Sequence, residues 1–134
     1  MKIKVYICCP YSIGDQALNV RRAIMVANQL WKMGYIPFNP LLFHFAHLVC
    51  PLDYEDWMMQ DEEWIKQCDV LLRLSGESKG CDREVIYASK LGIPIITKIE
   101  DLKSILIGGI LVKIPINAPN RYTMAEIIEW EDLE

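Results

Sequence analysis

The sequence predicts an α/β protein: a three-layer Rossmann- or flavodoxin-like sandwich around a parallel five-stranded sheet. Two observations carry this. Short β-branched runs alternate with amphipathic segments of helical period along the chain, the pattern of βαβ units. The first run, "IKVYICC" at residues 3–9, is apolar on both parities, as suits a strand covered by helices on both faces. Right-handed crossovers then restrict the topology to a small doubly wound fold.

The elements follow in order. Pro10 ends the first strand, "YSIGD" makes a loop, and Asp15 or Ser12 is placed to cap a helix. Val20, Ala23, Ile24, Ala27, Leu30 and Trp31 recur at helical spacing, and Gly34 stands where a helix-ending glycine belongs. "YIPFNP" reads as a second short strand entering a loop, and "LLFHFAHLVCP" as either a short helix or an ordered loop. A helix is expected over residues 53–67, then the strand "CDVLLRLS", the loop "SGESKG", the helix "DREVIYASKLG" and the strand "IPIITK". "ILVKIP" is expected as the fifth strand and "TMAEIIEWED" as a final helix. Residues 1–134 read as a single domain, without repeats or low-complexity tracts.

Composition narrows the function. The chain has 134 residues, is 52% hydrophobic and carries a net charge of −4. A domain of this size buries roughly two-thirds of its unfolded-chain surface. No basic run suggests a nucleic-acid polymer as partner, and no apolar stretch reaches the ~18 residues of a membrane span. Five cysteines without a CxxC pair or zinc-type spacing, and no signal-peptide pattern, read as a reduced cytoplasmic protein. The cysteines themselves read as buried small side chains.

In open parallel sheets, ligands bind beyond the carboxyl ends of the strands. The loops "CPYSIG", "NPLLFH" and "SGESKG" should gather there. Asp61 carries the sharpest signal, because it interrupts the apolar stripe Tyr54, Trp57, Met58, Ile65, Cys68. A core-side aspartate needs a partner, and desolvation would raise its pKa toward proton-transfer duty; a helix facing a cleft, or a cap on a neighbouring loop, accounts for it equally. Glu84 is expected in the first turn of its helix, where the dipole favours the ionised form. That suits a nucleophile, or simply a stable helix start. Tyr6 lies within the first strand, where its hydroxyl needs a partner. His44 and His47 are three apart, without an evident third metal ligand.

Taken together, "KVYICCPYSIGD", "NVRRAIMVANQLWKMGYIPFNP", "QDEEWIKQCDVLLRL" and "SKGCDREVIYASKLGIPII" resemble the nucleoside 2-deoxyribosyltransferase-like superfamily. It includes the 2′-deoxynucleoside 5′-phosphate N-hydrolases and CMP N-glycosidases. The resemblance spans roughly residues 3–97, and the first loop looks more like a branch of small bacterial and phage proteins. It implies cleavage or transfer at the N-glycosidic bond of a nucleoside or nucleotide. Glu84 would be the nucleophile, Asp61 the group that holds or protonates the departing base, and Tyr6 the residue that fixes Glu84. Ser78, Gly80 and the first loop with Tyr11 would hold the 5′ end of the sugar, aided by charge from Lys79, Arg73 or Arg83. Phe38, Asn39 and His44 would contact the base. The resemblance implies no metal or organic cofactor, and a homodimer or higher homo-oligomer. It departs in the first loop, which lacks the arginine of the phosphate hydrolases. A non-catalytic nucleotide-binding or regulatory module on the same fold is the alternative. A flavodoxin-like FMN or dinucleotide binder is disfavoured, as no GxGxxG follows strand one.

Overall fold

A computed structural model describes residues 2–103, 105–107 and 110–112. Strand β1 (Lys4–Cys8), helix α1 (Gln16–Lys32), strand β2 (Ile36–Phe38), helices α2 (Phe43–Val49) and α3 (Tyr54–Ile65), strand β3 (Val70–Arg73), helix α4 (Lys79–Lys90) and strand β4 (Ile95–Ile96) follow in turn. The four strands form a parallel sheet in the order β2-β1-β3-β4, the arrangement of a flavodoxin-like fold.

Strand β1 shows why both parities are apolar. Ile3, Val5, Ile7 and Cys9 join one core cluster with Ala23, Val26 and Leu30 of α1. Tyr6 and Cys8 join a second with Ile65 of α3 and with Cys81 and Ala88 of α4. The sheet is therefore covered by α1 on one face and by α3 and α4 on the other.

Helix α1 is capped by Asp15, whose Oδ1 accepts from the Leu18 amide at 3.1 Å. It closes in a Schellman motif: Gly34 N–H bonds the Trp31 carbonyl and Tyr35 N–H the Leu30 carbonyl, both at 3.0 Å. Gly34 takes the left-handed φ of +96° that this ending requires. The buried face of α1 is turned slightly from the expected stripe. Val26 is in the core, whereas Ile24 and Trp31 are exposed, and the Lys2 ammonium lies over the Trp31 ring at 5.8 Å.

Two expectations are corrected. The stretch at residues 110–112 is not the fifth strand of the parallel sheet: strand β6 (Ile110–Val112) pairs antiparallel with strand β5 (Ile105–Ile107), in a separate two-stranded sheet. The parallel sheet thus has four strands among the described residues. Helix α4 starts at Lys79, three residues before the expected Asp82. Of the two readings of residues 41–51, the short helix holds: α2 follows a 3-10 turn (Pro40–Leu42). The helix expected over 123–132 lies outside the described residues. No helix among them is long and apolar enough to cross a membrane.

Candidate active site

The carboxyl ends of β1 and β3 lie side by side, with Cys8 in register with Arg73. Loops leave them toward α1 and α4. The β3–α4 loop is braced from both sides. Arg22 donates to the Ser75 carbonyl at 2.7 Å and the Ser75 hydroxyl at 2.9 Å. Arg73 donates to the carbonyls of Leu74 at 2.5 Å and Gly76 at 2.9 Å. Gly76 has φ +123°, and a Cβ there would stand 3.0 Å from Pro10 Cγ of the first loop. Only glycine meets both demands. Ser78 then caps α4, its Oγ accepting from the Cys81 amide at 3.1 Å.

On α4, Cys81, Glu84 and Ala88 are the buried residues. They recur at i, i+3 and i+7, so the carboxyl group occupies a position in the apolar stripe. Glu84 is 5% exposed. The Tyr6 hydroxyl, from β1, donates to Glu84 Oε2. The Cys8 thiol, two residues along the same strand face, lies 3.6 Å from Glu84 Oε1 and 3.7 Å from the Cys81 carbonyl. Asp61 approaches from α3, which Arg83 ties to α4 through paired 2.7 Å contacts to Glu55 and a 3.0 Å contact to Glu62.

The electrostatics follow from burial. Desolvation first, and the Asp61 charge second, push the Glu84 carboxyl well above its ordinary range, against the hydrogen bond from Tyr6. The ionised state expected from the helix dipole is thus reversed. Glu84 sits in the second turn, beyond the reach of the terminal dipole, and burial prevails. Desolvation likewise raises Asp61 to about 7, opposed by a hydrogen bond with Glu84. Burial pushes the Tyr6 hydroxyl well above 10, so it is a neutral donor. A hydrogen bond with Cys8 leads the lowering of the Cys81 thiol to about 7.

Asp61 and Glu84 line a cavity of about 890 Å³, within the roughly 300–1,000 Å³ typical of small-molecule sites. Tyr11, His44, Ser78 and Gly80 also line it, with Lys79. The Tyr11 hydroxyl is hydrogen-bonded to His44 Nδ1. Tyr6 stands behind the wall, touching the cavity through Glu84. Phe38 and Asn39 do not line it. Phe38 stacks between Tyr6 and Trp64, at centroid distances of 5.7 and 4.9 Å. Asn39 Oδ1 caps the 3-10 turn by accepting from Leu41 N–H at 3.1 Å. Arg73 and Arg83 spend their donors on protein groups. Lys79 is therefore the lysine or arginine of the cavity wall among the described residues.

The sequence pattern missed Cys81, Trp57 and Phe43 among the wall residues. Cys81 belongs to the same stripe as Glu84. Trp57 lines the cavity rather than filling the core; its Nε1 donates to His47 Nδ1 at 2.8 Å, and Phe43 stacks on it at 5.8 Å. The 43, 44, 47 spacing on α2 was the available signal.

The site lies on the carboxyl edge of a parallel α/β sheet, the ordinary ligand position of this class of fold. The chain belongs to the family described as Domain of unknown function (DUF7768), which it matches over residues 3–98. No curated protein matches it in sequence. A solved 2-deoxyribosyltransferase from the psychrotolerant bacterium Bacillus psychrosaccharolyticus is similar in fold. Its TM-score is 0.50 at 20% identity, over 72% of this chain and 75% of that one.

Proposed function

We propose that this chain cleaves or transfers at the N-glycosidic bond of a nucleoside or nucleotide, with Glu84 as the nucleophile. One observation carries this reading. A buried carboxyl, held by a tyrosine hydroxyl, stands on the wall of a nucleoside-sized cavity beside a second carboxyl that titrates near 7. The fold likeness to a 2-deoxyribosyltransferase, described as a biocatalyst for nucleoside synthesis, supports the substrate class.

A buried carboxyl and a half-buried one beside it share a proton near neutral pH, because both charges together are unfavourable. As positive charge grows on the sugar ring, the carboxylate of Glu84 becomes the favoured state. Tyr6 and Cys8 already stabilise that state. The shared proton passes to Asp61, which gives it to the departing base. Glu84 bonds to C1′, and water or a second base then releases the sugar, as in retaining glycosidases. Phe43, Trp57 and Tyr11 supply flat apolar surface for the base. Ser78 and Lys79 stand near the 5′ side. Exposed Leu42, Phe45, Leu48 and Val49 on and beside α2 are the surface that a dimer would cover.

The test is incubation with a panel of deoxynucleosides, ribonucleosides and their 5′-monophosphates, with and without a second base. Release of free base, or formation of an exchanged nucleoside, is the expected result. Saturable binding of the same compounds with no product would leave a nucleotide-binding module instead.

A further inference from the structure

Cys81 has no role in that chemistry and Cys8 only hydrogen-bonds the Glu84 carboxyl, yet both cysteines are buried beside it. One ligand atom from each of these three residues lies within 4.8 Å of the other two. We propose that Cys8, Cys81 and Glu84 form a binding site for a thiophilic divalent cation of the zinc type. Occupancy would hold the Glu84 carboxylate and silence any reaction that uses it.

The donor set fits such an ion. Zinc takes thiolate and carboxylate ligands at about 2.3 and 2.0–2.2 Å. Tetrahedral bonds of that length leave neighbouring ligands roughly 3.3–3.8 Å apart. The Cys8 Sγ to Glu84 Oε1 distance is already 3.6 Å. Modest movement of the Cys81 side chain on the first turn of α4 completes the triangle. Glu84 offers Oε1, because Oε2 is engaged by Tyr6. Tyr6 then acts as the outer partner that orients a ligating carboxylate. Cys81 and Glu84 line the cavity together with Asp61, which gives an ion a route in and a source for its fourth ligand, while Cys8 lies behind the wall. On binding, each thiol that ligates loses its proton to the buffer. The hydrogen bond with Cys81, burial and the Glu84 charge push the Cys8 thiol up, so the ion must displace that proton against them; the Arg73 cation offsets part of this at both cysteines.

This proposal is independent of the glycosidic reading, since it concerns binding of a metal alone. The experiment is titration of the whole chain, kept reduced by a phosphine, with Co²⁺ and then with competing Zn²⁺. The expected result is one cobalt per chain, with thiolate-to-cobalt charge-transfer absorption that zinc abolishes. Cys8→Ser and Cys81→Ser should each remove that absorption. Tyr6→Phe should weaken metal affinity by about 10–100-fold. Should the serine variants unfold, X-ray absorption of the wild-type zinc complex decides the ligand set. Two sulfur ligands with oxygen in the remaining positions support the site. No thiolate band, a band that survives both serine variants, or a different sulfur count would overturn it.

Discussion

The hydroxyl of Tyr6 donates to the carboxyl of Glu84 across 78 positions of sequence. The bond joins the central strand β1 to helix α4 in a part of the core that excludes water. It does two things at once. It satisfies two buried polar groups, and it favours the charged form of Glu84 against the burial that opposes it. Tyr6→Phe removes the donor and leaves the acceptor buried. The expected loss is about 1–3 kcal/mol of stability, read by denaturant unfolding. The limb of the pH–rate profile that reports the carboxyl pair should move to higher pH. A merely structural tyrosine would leave that limb in place.

Asp61→Asn should separate stability from activity. The folded carboxyl titrates near 7 and the unfolded one near 3.8. Between these values the folded state binds the extra proton, so stability falls as pH rises through that window. Above about 7 the full cost of the desolvated charge is present. Each pKa unit corresponds to about 1.36 kcal/mol, and the carboxyl's partial contact with the cavity trims the total. The asparagine variant should therefore melt higher than wild type at pH 8, with the advantage gone by pH 4. Its turnover should fall roughly 10²–10⁴-fold. A lower melting temperature at pH 8 would make Asp61 a structural residue.

Gly76→Ala should disturb the loop before α4. The new Cβ meets Pro10 Cγ at 3.0 Å in a backbone region foreign to side chains. A cost of about 1–3 kcal/mol is expected, read by thermal unfolding, together with weaker substrate binding. Unchanged stability would mean that the two loops yield to each other freely.

A 5′-phosphate should be preferred only modestly. Arg73 and Arg83 are committed to protein groups, which leaves Lys79 on the wall. One charge-assisted contact contributes about 1.5–3 kcal/mol, or roughly tenfold to a hundredfold. Comparison of kcat/KM for one deoxynucleoside and its 5′-monophosphate checks this. A preference above about a thousandfold would mean that a further group binds the phosphate.

The sheet was legible because β1 carries its message at every residue: odd positions face α1 and even positions face α4. Asp61 was legible because it breaks a helical stripe. Glu84 was harder. Starting α4 at Asp82 placed it in an exposed first turn, whereas the helix begins after Ser78, and 81, 84 and 88 form the buried stripe. The cap is present in the sequence as Ser78, three residues ahead of Cys81. The β5–β6 pair is announced by "ILIGGILV", two apolar runs around a Gly-Gly pair, of which the sequence reading takes only the second as a strand. Phe38 and Asn39 lie off the cavity because no local periodicity says which way a loop turns after its strand. Phe38 packs on the Tyr6 ring instead.

The central claim is that Glu84 attacks the sugar. The measurement is the rate of free-base release by Glu84→Gln, on a nucleoside that the wild-type chain cleaves. The exchange is nearly isosteric and removes no core volume, so the variant should melt at or above the wild-type temperature. Release no faster than the uncatalysed reaction is the predicted result. Release at the wild-type rate from a folded Glu84→Gln protein would contradict the account.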